Sequence, residues 1–146
     1  MKQISPEKRK DLLKKLLIKG STKQYLLFFK KYHEADIADT LEELSINDRL
    51  KFFTKVDPEF SAEILEEMDL NQQTEIISKF KVNLAAKFIE EMEPDDAVDL
   101  LEELQETNES KAEEIIKALP QKEQEDIRTL LNYEEESAGI LITLSP

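Results

Sequence analysis

An apolar–x–x–apolar unit returns every twelve residues along most of this chain, and no other feature constrains the fold as much. The units are Phe29–Tyr32, Leu41–Leu44, Phe53–Val56, Leu65–Met68, Ile77–Phe80, Ile89–Met92 and Leu101–Leu104. After a three-residue insertion around 107–110, Ile116–Leu119 resumes the pattern. Twelve residues accommodate one helix of about two turns and a short connection. A helix that short is marginal alone, so each must be held by its neighbours. The units also alternate in charge: those at 41, 65 and 89 carry Glu-Glu pairs, those at 29, 53 and 77 carry lysines. A 24-residue period of helix pairs is expected of an all-α helical solenoid.

The flanks read differently. Ser5-Pro6-Glu7 opens a first helix with an N-cap, a proline and an acid in the first turn. Leu12, Leu13, Leu16 and Leu17 give it an apolar stripe, and Gly20 is a natural stop. Ser21 or Thr22 caps a second helix through Tyr25, Leu26, Phe28, Phe29 and Tyr32, whose aromatics read as core rather than as a ligand platform. Pro120 precedes a last helix over 121–131. Residues 137–146 (SAGILITLSP) change in kind and read as the first strand of a further domain, cut near its start.

At 146 residues the chain is long enough for one domain and a fragment of a neighbour. With no cysteine, disulfides, thiolate metal sites and cysteine nucleophiles are excluded. His33 stands alone; without a second histidine it reads as a helix-start residue, not a ligand. A net charge of −13 disfavours nucleic acid and favours cations or a basic surface. No apolar run approaches a bilayer span and no signal-peptide core is present, so a soluble, cytoplasmic chain is expected. The charge is uneven: residues 1–32 hold ten basic and two acidic side chains, the remainder ten basic and thirty-one acidic.

Negative charge peaks at 91–104, EMEPDDAVDLLEEL, where the alternation fails and a second Glu-Glu unit follows the one at 89. Pro94 suits a first helical turn, and Asp95 and Asp96 complement the positive end of the helix dipole there. Ala97, Leu100, Leu101 and Leu104 form the apolar stripe, while Asp95, Asp99 and Glu102 share another face. Hard cations such as Mg²⁺ take oxygen ligands and often use only one or two carboxylates, which Asp95 and Asp99 could supply. From the residues alone, a dipole complement and a solvated surface is the favoured reading, because charge runs on helices are common. No phosphate loop, HExxH, EF-hand or other catalytic spacing occurs, so an enzyme is not expected.

Four segments carry a resemblance: HEADIADTLEEL at 33–44, AEILEEMD at 62–69, EPDDAVDLLEEL at 93–104 and YEEESAG at 133–139. Together they resemble the cytoplasmic N-terminal domain of MgtE-type Mg²⁺ transporters, over about residues 25–143. Ile142-Thr143 stands where that family usually has Met-Thr. The resemblance implies a right-handed, armadillo-like superhelix of short helices followed by a CBS domain pair and a transmembrane domain, in a homodimer on the cytoplasmic face of the membrane. The chain would divide into basic helices at 1–32 packing on the solenoid, the repeat domain at 33–132, and a linker with the start of a CBS domain at 133–146. The resemblance further implies weak Mg²⁺ binding through Glu63, Asp95 and Asp99, completed by the CBS domain, with Mg²⁺ bridging acidic faces to close the pore. It implies neither nucleic-acid binding nor membrane insertion by this part. The alternatives are an interaction scaffold like the flagellar rotor protein FliG, without metal sensing, and an adaptor whose acidic groove takes a basic segment.

Overall fold

Helix starts fall on a twelve-residue grid. In the computed structural model, which describes residues 5–131, the helices are α1 (Pro6–Lys19), α2 (Thr22–Lys31), α3 (Glu34–Glu42), α4 (Ile46–Lys55), α5 (Pro58–Glu67), α6 (Leu70–Lys79), α7 (Val82–Glu91), α8 (Pro94–Lys117) and α9 over 121–131. The described residues contain no strand; the strand and linker expected beyond 132 lie outside them. The residues just before α2 to α8 are Ser21, His33, Ser45, Asp57, Asp69, Lys81 and Glu93, twelve apart throughout. Several satisfy the orphan N–H groups of the first turn with their own side chains. Ser21 forms a capping box with Gln24, Ser45 Oγ accepts from Asp48 N at 3.2 Å, and Asp69 Oδ1 accepts from Gln72 N at 2.9 Å. His33 caps α3, its Nδ1 accepting from Ala35 N at 3.1 Å, so it starts a helix as its isolation suggested.

Most connections between α2 and α8 take only two residues, one ending a helix and one starting the next. Each twelve-residue unit therefore holds nearly three helical turns instead of the two expected. Both apolar positions of every unit from Leu41–Leu44 to Ile116–Leu119 are buried, none more than 6% exposed. The three-residue insertion is absorbed without a loop. Asn108 alone leaves the helical region of α8 (φ −156°, ψ 81°), and its Oδ1 accepts from Lys111 N at 3.1 Å, capping the helical run that follows.

Gly20 ends α1, as its position suggested, without a left-handed turn. Its backbone is extended (φ −65°, ψ 136°), a conformation open to any residue. A Cβ here would lie 2.5 Å from Leu16 O and 2.9 Å from the Tyr25 ring, so close approach excludes a side chain.

The chain divides into two compact units, Met1–Lys79 and Phe80–Pro146, at a point where the twelve-residue repeat runs on unchanged. In the first, α3 packs on α1 and α5, and α4 packs on α6, so helices contact the next but one along the chain. That is the 24-residue period made physical. One repeat position carries the polar furnishing of this unit. Arg49 Nε and Nη2 donate to Leu41 O and Glu42 O, both at 2.9 Å, closing the C-terminal end of α3. Twenty-four residues on, Gln73 Nε2 donates to Met68 O at 2.7 Å and closes α5 in the same way. Between them, buried Ser61 donates to Asp57 O at 3.0 Å. The bonds to Glu42 O and Met68 O serve carbonyls at helix C-terminal ends, where intrahelical donors run out, whereas Asp57 O also accepts from Phe60 N and Ser61 N.

In the second unit α7 packs on α8, Phe80 and Phe88 stack at 5.4 Å, and Lys111 Nζ donates to Phe80 O. The equivalent repeat positions are Ala85 and Ala97, both buried and without polar function.

Candidate functional site

The buried stripe fixes where the carboxylates of α8 point. Ala97, Leu100, Leu101 and Leu104 are at most 1% exposed, so the helix cannot roll. Asp95, Asp96 and Asp99 consequently face solvent, Asp95 and Asp96 in the first turn and Asp99 one turn further on. Glu93 precedes the helix without a side-chain cap bond, so the exposed N–H groups of that turn leave a partial positive charge that the aspartates complement.

Glu63 is exposed on α5, whose neighbours Ala62, Ile64 and Leu65 are buried. It belongs to the first unit, Asp95 and Asp99 to the second. Among the described residues no group of three or more histidine, aspartate or glutamate side chains is placed to hold one metal ion. The donor chemistry therefore suits a hard cation, while the donor number falls short of a complete site.

One acidic cluster was not visible in the sequence. Glu123 of α9 lies near Asp126 and near Glu90 and Glu91 at the end of α7; burial, then these three carboxylates, hold its carboxyl above the usual range. The acids of α9 are plain in the sequence, but which helix end they meet is not. On the same unit Arg128 offsets charge locally: its guanidinium donates to Glu113 Oε1 at 2.7 Å and lowers that carboxyl below the usual range.

The aromatic residues of α2 serve the core in part. Tyr25 and Phe28 are buried, and Tyr25 meets Phe52 edge-on at 6.1 Å; Phe29 and Tyr32 are only half-buried. Among the described residues no helix is long and apolar enough to cross a membrane.

Comparison with known proteins follows the same lines. The model of a family described as the MgtE intracellular N domain matches residues 32–136. A solved structure described as the soluble part of a magnesium transporter superposes with a TM-score of 0.75 at 23% identity, covering 88% of this chain and 50% of that one. This likeness establishes the fold, and the chain spans half the length of that relative. Comparison with curated protein sequences gave no match. With the family match extending over most of the repeat and the fold agreeing, the chain belongs to the MgtE intracellular N domain family.

Proposed function

We propose that this domain is a non-catalytic, regulatory Mg²⁺ sensor on the cytoplasmic face of a dimeric Mg²⁺ transporter. The observation that carries the reading is the outward carboxylate face of α8, held in place by a fully buried stripe and free of basic residues from 90 to 103. Like charges on this face and on an adjacent CBS domain repel and keep the two apart. A divalent cation between them supplies the positive charge that reverses the sign of that interaction. Asp95 and Asp99 on α8 and, separately, Glu63 on α5 would each offer oxygen ligands, with the CBS domain supplying the others. Glu123 supports the idea of an unrelieved negative potential, since neighbouring carboxylates already make its ionisation costly. A domain with so few donors in one place holds the ion weakly alone, and the pore closes only when both faces are bridged. Packing between next-but-one helices in the first unit is the contact pattern that a solenoid of helix pairs requires.

Small-angle scattering of the domain joined to its CBS pair, titrated with Mg²⁺, tests the reading. Compaction is expected, and it should be lost in the Asp95→Ala/Asp99→Ala protein. No compaction, or equal compaction in that variant, would sink it.

A further inference from the structure

The first unit carries a second surface, opposite in character to the carboxylate face. Between α1 and α2 runs an open groove of about 610 Å³, floored by Leu12, Leu16 and Phe28. The α1 stripe is therefore wider than the core requires: Leu13 and Leu17 are buried, while Leu12 and Leu16 are left for the groove. Ile18 and Leu27 form its lips, 69% and 55% exposed, the two most exposed large apolar side chains among the described residues. Lys15, Lys19 and Lys31 line the same groove, and Lys14, Lys23 and Lys30 are exposed on the same helices. Among the described residues none of these six lysines forms an ion pair, in a chain of net charge −13. The Tyr32 hydroxyl, also at the groove, is buried without a hydrogen-bond partner among the described residues.

We propose that this groove seats on an anionic lipid surface. An apolar floor with exposed apolar lips and a rim of ammonium groups without carboxylate partners, Lys31 resting over the Tyr32 ring at 5.8 Å, asks for a partner that is apolar within and anionic at its border. A bilayer bearing anionic headgroups is both: Ile18 and Leu27 enter the acyl boundary while the lysine stems extend to the phosphates. A second copy of this chain meets only half of the requirement. Its acidic units at 41, 65, 89 and 101 offer carboxylates, but both apolar positions of each are already buried in its own core. Such a partner would pair the lysines and leave the groove bare. The inference is independent of the Mg²⁺ reading, since it uses no carboxylate of α5 or α8.

Co-sedimentation of the 146-residue chain with vesicles of mixed phosphatidylglycerol and phosphatidylcholine, against pure phosphatidylcholine, tests it. Binding is expected to the mixed vesicles alone and should weaken as salt rises. Lys15→Glu/Lys19→Glu/Lys31→Glu should lower the partition more than about tenfold, each lysine near an anionic surface counting for several-fold. Ile18→Ser/Leu27→Ser should lower it as well, whereas the equally charged control Lys51→Glu/Lys79→Glu/Lys122→Glu should not. All of these side chains are exposed, and far-ultraviolet circular dichroism confirms that each variant stays folded. Binding to neither vesicle, equal binding to both, or a partition indifferent to the groove variants would overturn the proposal. So would groove variants that abolish self-association of the chain without lipid, which would name a second copy as the occupant.

Discussion

The two units share one apolar skeleton and furnish it with opposite polar chemistry. Met1–Lys79 hold fourteen basic and fifteen acidic residues, close to balance, whereas Phe80–Pro146 hold six and eighteen. In the first unit polar side chains close helix ends: Arg49 on α3, Gln73 on α5, and Lys55 Nζ on Leu17 O at 2.8 Å. In the second, Lys111 closes on Phe80 O, Lys81 and Glu93 start helices without a side-chain cap bond as Asp57 does in the first, and carboxylates stand on the outer faces. The twelve-residue repeat thus fixes only which positions are buried. What the remaining positions do is free to diverge, and here one unit uses them for internal support while the other presents them outward as charge. A unit so loaded works against its own stability through self-repulsion, a state that binding of a cation would relieve.

The comparison breaks most visibly if the skeleton is not shared in energy. Phe53 and Phe88 are both fully buried, one in each unit. Phe53→Ala and Phe88→Ala should each cost about 3–5 kcal/mol through lost burial and the cavity left behind. Urea denaturation of both proteins measures this. Costs of similar size are expected, and a marked difference would mean that one unit leans on something other than its apolar repeat.

The next effect separates the polar furnishing. Arg49→Met removes two charge-assisted hydrogen bonds to the end of α3 and should cost about 2 kcal/mol; Gln73→Leu should cost about 1 kcal/mol. The 3.9 Å ion pair of Arg49 with Glu75 is a lesser part of this, because Glu75 is half-exposed, so Glu75→Gln should be nearly neutral. Thermal melts of the three variants rank these contributions. If Arg49→Met proved as mild as Glu75→Gln, the carbonyl contacts would not be what supports the first unit.

Much of this division could be read from the residues, and the part that could not has a physical cause. Apolar spacing dictates burial, so the helices, their period and the outward direction of Asp95 and Asp99 follow from periodicity alone. Lateral packing does not. The sequence shows acids in α9 but not that they meet the end of α7, and the Leu12–Leu16 stripe looks like core until α2 is seen to leave it partly uncovered. Gly20 was recognisable as a stop, although the cause is a crowded approach to Leu16 O and Tyr25, which only coordinates reveal. The unit boundary at Lys79 has no signature because the repeat runs through it unchanged.

The smallest effect sharpens the contrast through pH. Two carboxylates of the second unit move in opposite directions. Burial and then Glu90, Glu91 and Asp126 raise Glu123, so the folded chain binds its proton more tightly than the unfolded chain does. Its contribution to stability is therefore greatest at low pH and declines as pH rises from the ordinary carboxylate value through the raised one. Arg128 lowers Glu113, whose contribution is present above the ordinary value and is lost as pH falls below it. At neutral pH Glu123 is thus ionised at a cost, and Glu123→Gln should stabilise the chain by about 0.5 kcal/mol, within the range of partly exposed substitutions. The gain should fade as pH is lowered through the carboxylate range, because protonation of the wild-type carboxyl removes the charge that the substitution removes. Arg128→Met should do the reverse, destabilising at neutral pH and converging on wild type in acid. Denaturant midpoints across that pH range distinguish the two, and a Glu123→Gln gain that persisted unchanged in acid would mean that packing, not the charge of Glu90, Glu91 and Asp126, sets the behaviour of this face.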